Sequence, residues 1–495
     1  MAETFPNHIA GEWTEPAAGE HFENRNPARP SDLVGRFPSS TAAEVDEAVR
    51  SARRGFDAWW KVPAPERGLV LQRAGDLMTE RKDELARAQT REMGKVLEET
   101  RGDVQEAIDT AYYAANEGRR LFGRTVPSEL PDKWAMSYRR PVGVFGIITP
   151  FNFPTAIPSW KIFPALLCGN AVVFKPAEDV PHSAHLFVEL LLEAGVPAEC
   201  VQLVHGGASV GRALVEHPDV DGVSFTGSTE TGGRIAETCG RTHKRVSLEM
   251  GGKNAQIVLP DADMDLAVDG VLWGAFGTTG QRCTATSRLL LHRSIHDAFV
   301  ERLLEEVDDL RLGDGLDPDT DVGPLIHEAA VEKVERYLEI GRDEGAEVAC
   351  GGGRPDDDRL AGGHFYEPTV LLGVESGDRV EQEEIFGPVL SVLVFDDLDE
   401  AVEINNGVEY GLSSALYTRD VQGAFRAIEE MDTGITYVNA PTIGAEAHLP
   451  FGGVKRTGNG HREGGWEVYE FYSETKVAYV DYSGRLQRAQ IDVEW

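Results

Sequence analysis

A cysteine in a glycine-rich segment is the residue of this chain best suited to covalent chemistry. Cys283 ends the segment Phe276-Gly-Thr-Thr-Gly-Gln-Arg-Cys283. Glycines permit positive φ and close backbone approach, which would leave the thiol partly exposed near backbone N–H groups. With Arg282 beside it, we expect these neighbours to lower the thiol pKa and to favour a nucleophilic thiolate. The alternative is a small buried thiol, the ordinary role of a free cysteine.

Two polar residues elsewhere in the chain could assist such a nucleophile. Glu249 precedes two glycines in Leu248-Glu-Met-Gly-Gly-Lys253, and a carboxylate at that bend can act as a general base. Asn152 lies between prolines in Pro150-Phe-Asn-Phe-Pro154, where a fixed amide can donate a hydrogen bond to an oxyanion. Taken singly, Glu249 could be a solvated acid and Asn152 a turn cap.

Two further segments have the character of a dinucleotide site. Gly227-Ser-Thr-Glu-Thr-Gly232 follows a predicted strand, so backbone N–H groups and a helix dipole would meet there and favour a pyrophosphate. Its spacing is GxxxxG without a following lysine, so an ordinary strand–helix turn remains an alternative. Glu384, which precedes Phe386 and a Gly-Pro turn, could bind a ribose diol, or could be a solvated acid beside a core phenylalanine.

Together and in this order, the motifs resemble those of the aldehyde dehydrogenase superfamily. The motifs are Asn152, GSTETG at 227–232, LEMGGK at 248–253, GQRC at 280–283, EIFGP at 384–388 and PFGGVK at 450–455. The resemblance extends from Asn7 to Tyr479 and implies that Cys283 attacks an aldehyde. It further implies that Asn152 and the Cys283 backbone N–H stabilise the oxyanion, and that Glu249 activates the water that hydrolyses the thioester.

The resemblance also implies a nicotinamide cofactor, NAD or NADP, and no metal, because the nicotinamide accepts the electrons. The cofactor-binding positions that it implies are Ile148, Thr149, Pro150, Phe151, Lys175, Glu178, Gly227, Ser228, Gly232, Gly251, Glu384 and Phe386. Glu178 would bind the adenosine ribose diol and repel a 2′-phosphate, which favours NAD. Family members with this glutamate can still take NADP if the side chain swings aside. Lys161 aligns with a family lysine that assists proton movement; the alternative is a solvated helix lysine.

The substrate implied by the resemblance is a semialdehyde. The segments 439–446 and 458–463 look like the branch of 2-oxoglutarate semialdehyde (2,5-dioxopentanoate) dehydrogenases, which act in pentose and sugar-acid breakdown. Arg282 could pair with a substrate carboxylate or bind backbone carbonyls instead, and Phe451 is expected in the substrate pocket. Succinate semialdehyde and betaine aldehyde are alternative substrates.

Three other classes of protein compete with this interpretation. A CoA-acylating aldehyde dehydrogenase would usually lack Glu249. A non-enzymatic relative would be expected to have lost Cys283, Glu249 or Asn152, and all three are present. A Cys–His thiol hydrolase would need His243 or His448 beside Cys283, and nothing in the sequence places either there.

The pattern of elements supplies a frame for these residues. A capping box at Thr41–Glu44 begins a helix, and two further helices are predicted over Ala64–Met93 and Arg101–Leu121. Strands alternating with helices predict a parallel, doubly wound sheet; the strands are Gly143–Ile148, Ala171–Phe174, Val201–Val204 and Gly222–Phe225, and the helices Thr155–Cys168 and Ser183–Gly195. A second alternating region contains Gln256–Leu259, Leu289–Leu291 and Val389–Leu393, and a last strand is predicted over Glu474–Tyr482.

We therefore predict an α/β fold with three parts. They are a Rossmann-like cofactor domain (residues 1–121 and 141–250), an α/β catalytic domain (251–449) and a small β oligomerisation arm (122–140 and 468–495). In this family such an arm adds a strand to a partner's sheet, and its edge would otherwise be exposed. A homo-oligomer, dimer or tetramer, is therefore expected.

Composition narrows the class and the setting. The 495 residues carry a net charge of −35. The acid is dispersed along the chain, which disfavours nucleic acid and anionic membranes as partners and is typical of the cytoplasmic proteins of haloarchaea. The first residues resemble no signal peptide, and the apolar stretch 141–174 is broken by prolines, so no membrane span is expected. Five widely spaced cysteines predict neither disulfides nor a zinc site.

Overall fold

Strands and helices alternate along most of the chain in the computed structural model, which describes residues 3–492. The strands are β1 Asn7–Ile9, β2 Glu12–Thr14, β3 His21–Arg25, β4 Leu33–Pro38, β5 Thr125–Pro127, β6 Lys133–Pro141, β7 Val144–Ile148, β8 Ala171–Lys175, β9 Val201–Leu203, β10 Gly222–Thr226, β11 Arg245–Glu249, β12 Asn254–Val258, β13 Thr286–His292, β14 Glu347–Cys350, β15 Thr369–Leu372, β16 Val389–Phe395, β17 Tyr410–Gly411, β18 Ser413–Tyr417, β19 Ile435–Val438, β20 Val454–Lys455 and β21 Ser473–Asp481. The helices are α1 Ala42–Trp59, α2 Ala64–Glu80, α3 Lys82–Met93, α4 Leu97–Glu117, α5 Ala156–Cys168, α6 Pro181–Ala194, α7 Ala208–Glu216, α8 Thr229–Thr242, α9 Met264–Phe276, α10 His296–Asp308, α11 Glu328–Glu344, α12 Arg379–Gln382, α13 Leu398–Asn406, α14 Val421–Glu430 and α15 Val468–Phe471.

The first sheet has the order β11-β10-β7-β8-β9-β1-β2. Its five strands from β11 to β9 are parallel. β7 and β8 are buried along their whole length, as apolar strands covered by helices on both faces should be. The predicted doubly wound sheet is therefore confirmed. The antiparallel hairpin β1–β2 at the edge of this sheet was not predicted, because three-residue strands are too short to show periodicity. β1 is also held by a residue distant in sequence: the His8 ring contacts the Val201 carbonyl at 2.9 Å.

The second sheet has the order β14-β15-β16-β13-β12-β18-β19. Only the edge strand β14 is antiparallel within it. The short segment 250–253 joins the last strand of the first sheet, β11, to β12 of the second. Glu249, the final residue of β11, therefore lies at the junction of the two sheets.

A third, three-stranded sheet has the order β21-β6-β5, and β21 pairs with β6 along nine residues. These strands belong to the predicted arm. Residues 493–495 of that arm and residues 1–2 of the predicted cofactor domain lie outside the described part of the chain. The domain boundaries themselves remain a prediction. Within residues 3–492 no helix is long and apolar enough to cross a membrane.

Two helix predictions need correction. The segment Ala64–Met93 forms two helices, because the backbone leaves the helical conformation at Arg81 (φ −102°, ψ 16°). The next helix runs from Leu97 to Glu117 and not from Arg101 to Leu121, and it stops at Gly118. The capping box that begins α1 is confirmed: the Thr41 hydroxyl accepts from the Glu44 N–H, and the Glu44 carboxylate accepts from the Thr41 N–H.

Candidate active site

The loop that carries Cys283 is held in an unusual conformation. Thr278, Thr279 and Gly280 have φ values of 53°, 57° and 68°, three successive left-handed residues. For each threonine this costs about 1–2 kcal/mol, so the surroundings must hold the loop in place. The Glu99 carboxylate accepts from the Thr278 N–H at 2.8 Å and from the Thr278 hydroxyl at 3.0 Å. The Thr279 hydroxyl donates to the Gly323 carbonyl at 2.9 Å. Beyond this turn, partly exposed Cys283 lines two adjoining cavities.

Asn152 meets the Cys283 loop directly. It follows β7, is buried, and its side-chain Nδ2 donates to the Gln281 carbonyl at 3.0 Å. An amide nitrogen carries two hydrogens, so one remains for another acceptor. The structure thus brings together an amide donor and a thiol that lie about 130 residues apart in sequence.

Glu249 lines one of the same cavities with no hydrogen-bond partner for either carboxylate oxygen among the described residues. Burial raises the pKa of Glu249 well above its usual range. The nearby Glu463 carboxylate raises it further, whereas Lys161 and Arg462 oppose the shift. The resting structure therefore favours the neutral form of Glu249.

Lys161 and Glu463 form a buried pair behind Glu249. Lys161 lies on α5, pairs with the Glu463 carboxylate and donates to the Ser224 hydroxyl at 3.0 Å. It is therefore not a solvated lysine. Glu463 is held by reciprocal backbone hydrogen bonds with Phe451, at 2.6 and 2.7 Å. The sequence offered no sign of this role for Glu463, because only the fold brings it to β11.

The expected lowering of the Cys283 pKa is wrong. Burial raises the pKa of the Cys283 thiol to about 12, and the Glu384 and Glu249 carboxylates are the next causes. Arg282 does not offset them, because its guanidinium pairs with Glu99 at 3.3 Å and donates to the Thr278 hydroxyl at 2.8 Å. The residue next in sequence is thus not the neighbour that governs the thiol.

A cavity of about 210 Å³ on one side of Cys283 contains much of the predicted cofactor site. Its lining includes Pro150, Phe151, Gly227, Ser228, Gly251, Glu384 and Phe386. Ser228 caps the exposed N-terminus of α8 and accepts from the Thr231 N–H at 3.3 Å. Glu384 accepts from the Gly252 N–H at 3.1 Å, and a Cβ at Gly251 would come within 2.6 Å of its carboxylate. The cavity therefore offers an anion-binding helix end, an acceptor for hydroxyls and a glycine that leaves room, a combination that fits a dinucleotide.

The remaining predicted cofactor residues lie along the same sheet edge. Ile148 and Thr149 are at the end of β7, Lys175 ends β8, and Gly232 on α8 packs against Met250. Glu178 is exposed just beyond β8. A Cβ at Gly207 would come within 2.8 Å of the Glu178 carboxylate. Carboxyl ends of parallel strands are where open α/β sheets bind nucleotides.

A second cavity of about 300 Å³ opens on the other side of Cys283. Apolar side chains form part of its wall, and Phe451 packs on Trp160 with ring centroids 4.8 Å apart. Arg282 also lines it, with its guanidinium 4.8 Å from the Trp273 ring centroid. Phe451 and Arg282, both predicted at the substrate, thus line one cavity together with Cys283, and their role there stays a prediction.

One face of α4 gives this second cavity an acidic wall that we did not predict from the sequence. Its members are Glu98, Glu99, Asp103 and Glu106. Burial raises the pKa of Glu106 to about 8, with Asp103 as the next cause, and its Oε1 atom has no hydrogen-bond partner among the described residues. From the sequence alone, these acids are indistinguishable from the solvated side of an amphipathic helix.

Comparison with known proteins agrees with this geometry. The profile of the aldehyde dehydrogenase family matches residues 13–478. The chain belongs to the aldehyde dehydrogenase family. It is 39% identical over 478 residues to the alpha-ketoglutaric semialdehyde dehydrogenase of Bacillus subtilis, covering 96% of this chain and 98% of that one. It is 40% identical over 484 residues to the alpha-ketoglutarate semialdehyde dehydrogenase of Haloferax volcanii, covering 97% of this chain and all 100% of the other.

A solved structure of betaine aldehyde dehydrogenase from Staphylococcus aureus in complex with NAD+ superposes with a TM-score of 0.95 at 36% identity, covering 97% of this chain and 96% of that chain. The predicted α/β fold is thereby confirmed. As a member of this family, the protein oxidises aldehydes with NAD or NADP. The structure disfavours a Cys–His thiol hydrolase, because His243 and His448 line neither cavity at Cys283.

Proposed function

We propose that Cys283 is the nucleophile, Asn152 the oxyanion donor and Glu249 the general base. The observation that carries this proposal is the position of Cys283. It lines one cavity with Glu249 and the adjoining cavity with Asn152, whose amide donates to the Cys283 loop. The Cys283 sulfur bonds to the aldehyde carbon as the carbonyl electron pair moves to oxygen. The thiol proton leaves to solvent water. Glu249, whose oxygens have no other partner in the described chain, must lose its own proton before it can act as a base.

The oxyanion is then held by the Asn152 amide and the Cys283 backbone N–H, and one such donor is worth about 3–4 kcal/mol in the transition state. Loss of a hydride turns the thiohemiacetal into a thioester, and a nicotinamide held by the residues of the cofactor cavity would supply the acceptor for that hydride. Glu249 removes a proton from water, the water oxygen attacks the thioester carbon, and the C–S bond breaks to release the acid and the cysteine sulfur. The Lys161–Glu463 pair behind Glu249 is placed to pass its proton onward.

Replacing Cys283 by alanine tests the assignment. Loss of the nucleophile is expected to lower kcat by on the order of 10³-fold or more. Cys350→Ala is a matched control, because this thiol is also free and half-buried but lines neither cavity. Oxidation by Cys283→Ala at the rate of Cys350→Ala would refute the assignment.

We propose 2-oxoglutarate semialdehyde (2,5-dioxopentanoate) as the substrate, formed in pentose and sugar-acid breakdown. Two observations support it: the names of the Bacillus and Haloferax relatives, and the presence of Arg282 in the substrate cavity. At pH values below about 8 Glu106 is mainly protonated, so it can donate to a substrate carboxylate instead of repelling it.

Betaine aldehyde is the second candidate, because the acidic wall of α4 would attract a cationic aldehyde and Arg282 is already neutralised by Glu99. Glu106→Gln separates the two. With an anionic semialdehyde, kcat/KM of the wild type should fall as the pH rises past about 8, since Glu106 becomes charged, and Glu106→Gln should remove that fall. With a cationic aldehyde the same substitution should lower kcat/KM at high pH.

Glu98→Gln is the control for this comparison, because Glu98 lies at the same wall but is highly exposed and pairs with Arg101. Faster turnover of betaine aldehyde or simple aliphatic aldehydes than of 2,5-dioxopentanoate and succinate semialdehyde would refute the substrate proposal. A rate increase on adding CoA would instead favour the CoA-acylating alternative.

We also propose that the chain assembles as a dimer or tetramer through the predicted arm. The sheet β21-β6-β5 exposes Trp134, Val477 and Tyr479, at 55%, 54% and 66% of their full accessibility. Within residues 3–492, β19 is one of the two edge strands of the second sheet, and a partner's strand could be added to it. Light scattering after size exclusion should give a mass of two or four chains, and a monomer would refute the proposal.

The dispersed acid, with its net charge of −35, supports a cytoplasmic enzyme of a salt-loving archaeon. Screening by salt reduces repulsion between like charges. We therefore expect the thermal unfolding midpoint to rise steeply between low and molar KCl. A midpoint independent of salt would contradict this origin.

A further inference from the structure

Helix α4 contacts both loops of the proposed catalytic centre. Glu99 and Asp103 lie four residues apart, on one face of the helix. Glu99 holds the left-handed turn before Cys283 through Thr278. Asp103 accepts from the Ala156 N–H at 2.8 Å and the Thr155 N–H at 3.3 Å, which fixes the start of α5 just after Asn152.

Lys95 completes this connection. Its ammonium donates to the second Asp103 oxygen at 2.9 Å and to the backbone carbonyl of Asn152 itself at 3.0 Å. It also lies 3.9 Å from the centroid of the Phe153 ring. The side chains of Lys95 and Asp103 are both fully buried, at 0% exposure.

A buried ion pair is weak evidence for a role in stability, because removing two charges from water costs about as much as their attraction returns. Burial lowers the pKa of Lys95, whereas Asp103 opposes that shift, so the lysine depends on its partner to stay charged. The pair contacts the main chain at Asn152 and again three and four residues later, at Thr155 and Ala156. Its location therefore points to control of geometry.

We infer that Lys95 and Asp103 are positioning residues that set the Asn152 amide relative to Cys283, with α4 as the common rigid support. This inference rests on the proposed role of Asn152 as oxyanion donor. The pair contacts neither substrate nor cofactor in this scheme; it acts through Asn152. Its loss should slow formation of the thioester while leaving the Cys283 loop, which Glu99 holds, in place.

The test is a double-mutant cycle between Lys95→Met and Asn152→Ala. A small misplacement of a catalytic group can cost up to about 10²-fold, so Lys95→Met should lower kcat and the burst rate of NAD(P)H formation by about 10- to 100-fold, with KM little changed. In the Asn152→Ala background it should lower them less than about threefold. Cys283 alkylation by iodoacetamide should keep the wild-type rate in Lys95→Met.

Lys82→Met is the matched control, because Lys82 also bridges to α4, donating to Gln105 at 2.8 Å on its exposed side. It should leave the burst rate unchanged. If Lys95→Met does not fold, Asp103→Asn takes its place, since it keeps an acceptor for the α5 N–H groups and loses only the charge that holds Lys95.

Equal losses from Lys95→Met in both backgrounds would overturn the inference, because the lysine would then act independently of Asn152. A wild-type burst rate in Lys95→Met would overturn it as well. A wild-type rate in Asn152→Ala alone would refute the proposed oxyanion role, a failure of the mechanism that is distinct from failure of the positioning pair.

Discussion

The thiol of Cys283 should become more reactive when a neighbouring carboxylate is neutralised. Glu384 is the largest charged cause of the raised pKa of Cys283, after burial itself. Glu384→Gln keeps the size and an acceptor for the Gly252 N–H, which the carboxylate contacts at 3.1 Å. It removes the negative charge and should therefore lower the thiol pKa.

The magnitude follows from the thiolate fraction. With a pKa of about 12, about one thiol in 10⁴ is ionised at pH 8. Each unit by which the pKa falls gives about tenfold more thiolate, but thiolate nucleophilicity falls with its pKa, so the net gain is about three- to fourfold per unit. Glu384→Gln should thus alkylate several times faster than the wild type at pH 8.

The assay is the second-order rate of alkylation by iodoacetamide in the cofactor-free enzyme between pH 7 and 10, followed by mass spectrometry of the Cys283 peptide. Glu383→Gln is the control, because its carboxylate pairs with Arg379 at 2.9 Å and accepts from the Tyr337 hydroxyl at 2.7 Å, and it is not among the causes of the Cys283 shift. An unchanged or slower rate in Glu384→Gln, with an unshifted pH profile, would refute the electrostatic reasoning.

Two other predictions concern charge. Glu178→Gln should raise the ratio of kcat/KM with NADP to that with NAD by about tenfold, since it removes repulsion of a 2′-phosphate. An unchanged ratio would show that residues other than Glu178 determine the choice between NAD and NADP. Burial lowers the pKa of His205 to about 3. An unfolded histidine titrates near 6.5, so the unfolded state binds more protons below that pH, and stability is lost as the pH falls from 6.5 toward 3. His205→Gln should reduce the loss between pH 7 and 4.5 by about 2–3 kcal/mol, measured by urea unfolding, and an identical pH dependence would contradict this account.

Much of the site could be predicted from the sequence because its parts sit at bends marked by glycine or proline. Asn152 follows β7, Glu249 ends β11 and Cys283 follows the turn after α9, and the structure places all three along two adjoining cavities. The acidic wall of α4 could not be predicted, since Glu99 and Asp103 differ from solvated helix acids only in what the fold places against them. The prediction of a lowered thiol pKa was wrong for the same reason. Arg282 is adjacent to Cys283 in sequence, but in space it pairs with Glu99, and Glu384 is the charged group that acts most strongly on the thiol.

The most direct test of the central claim is to trap the covalent intermediate. Glu249→Gln with NAD(P) and 2,5-dioxopentanoate should accumulate a stable thioester, because the substitution removes the carboxylate that we propose activates water. Intact-mass analysis should then show one adduct per chain, with the mass of the substrate less two hydrogens, and peptide mapping should place it on Cys283. Continued full turnover with Cys283 unmodified, or an adduct on another cysteine, would contradict the account.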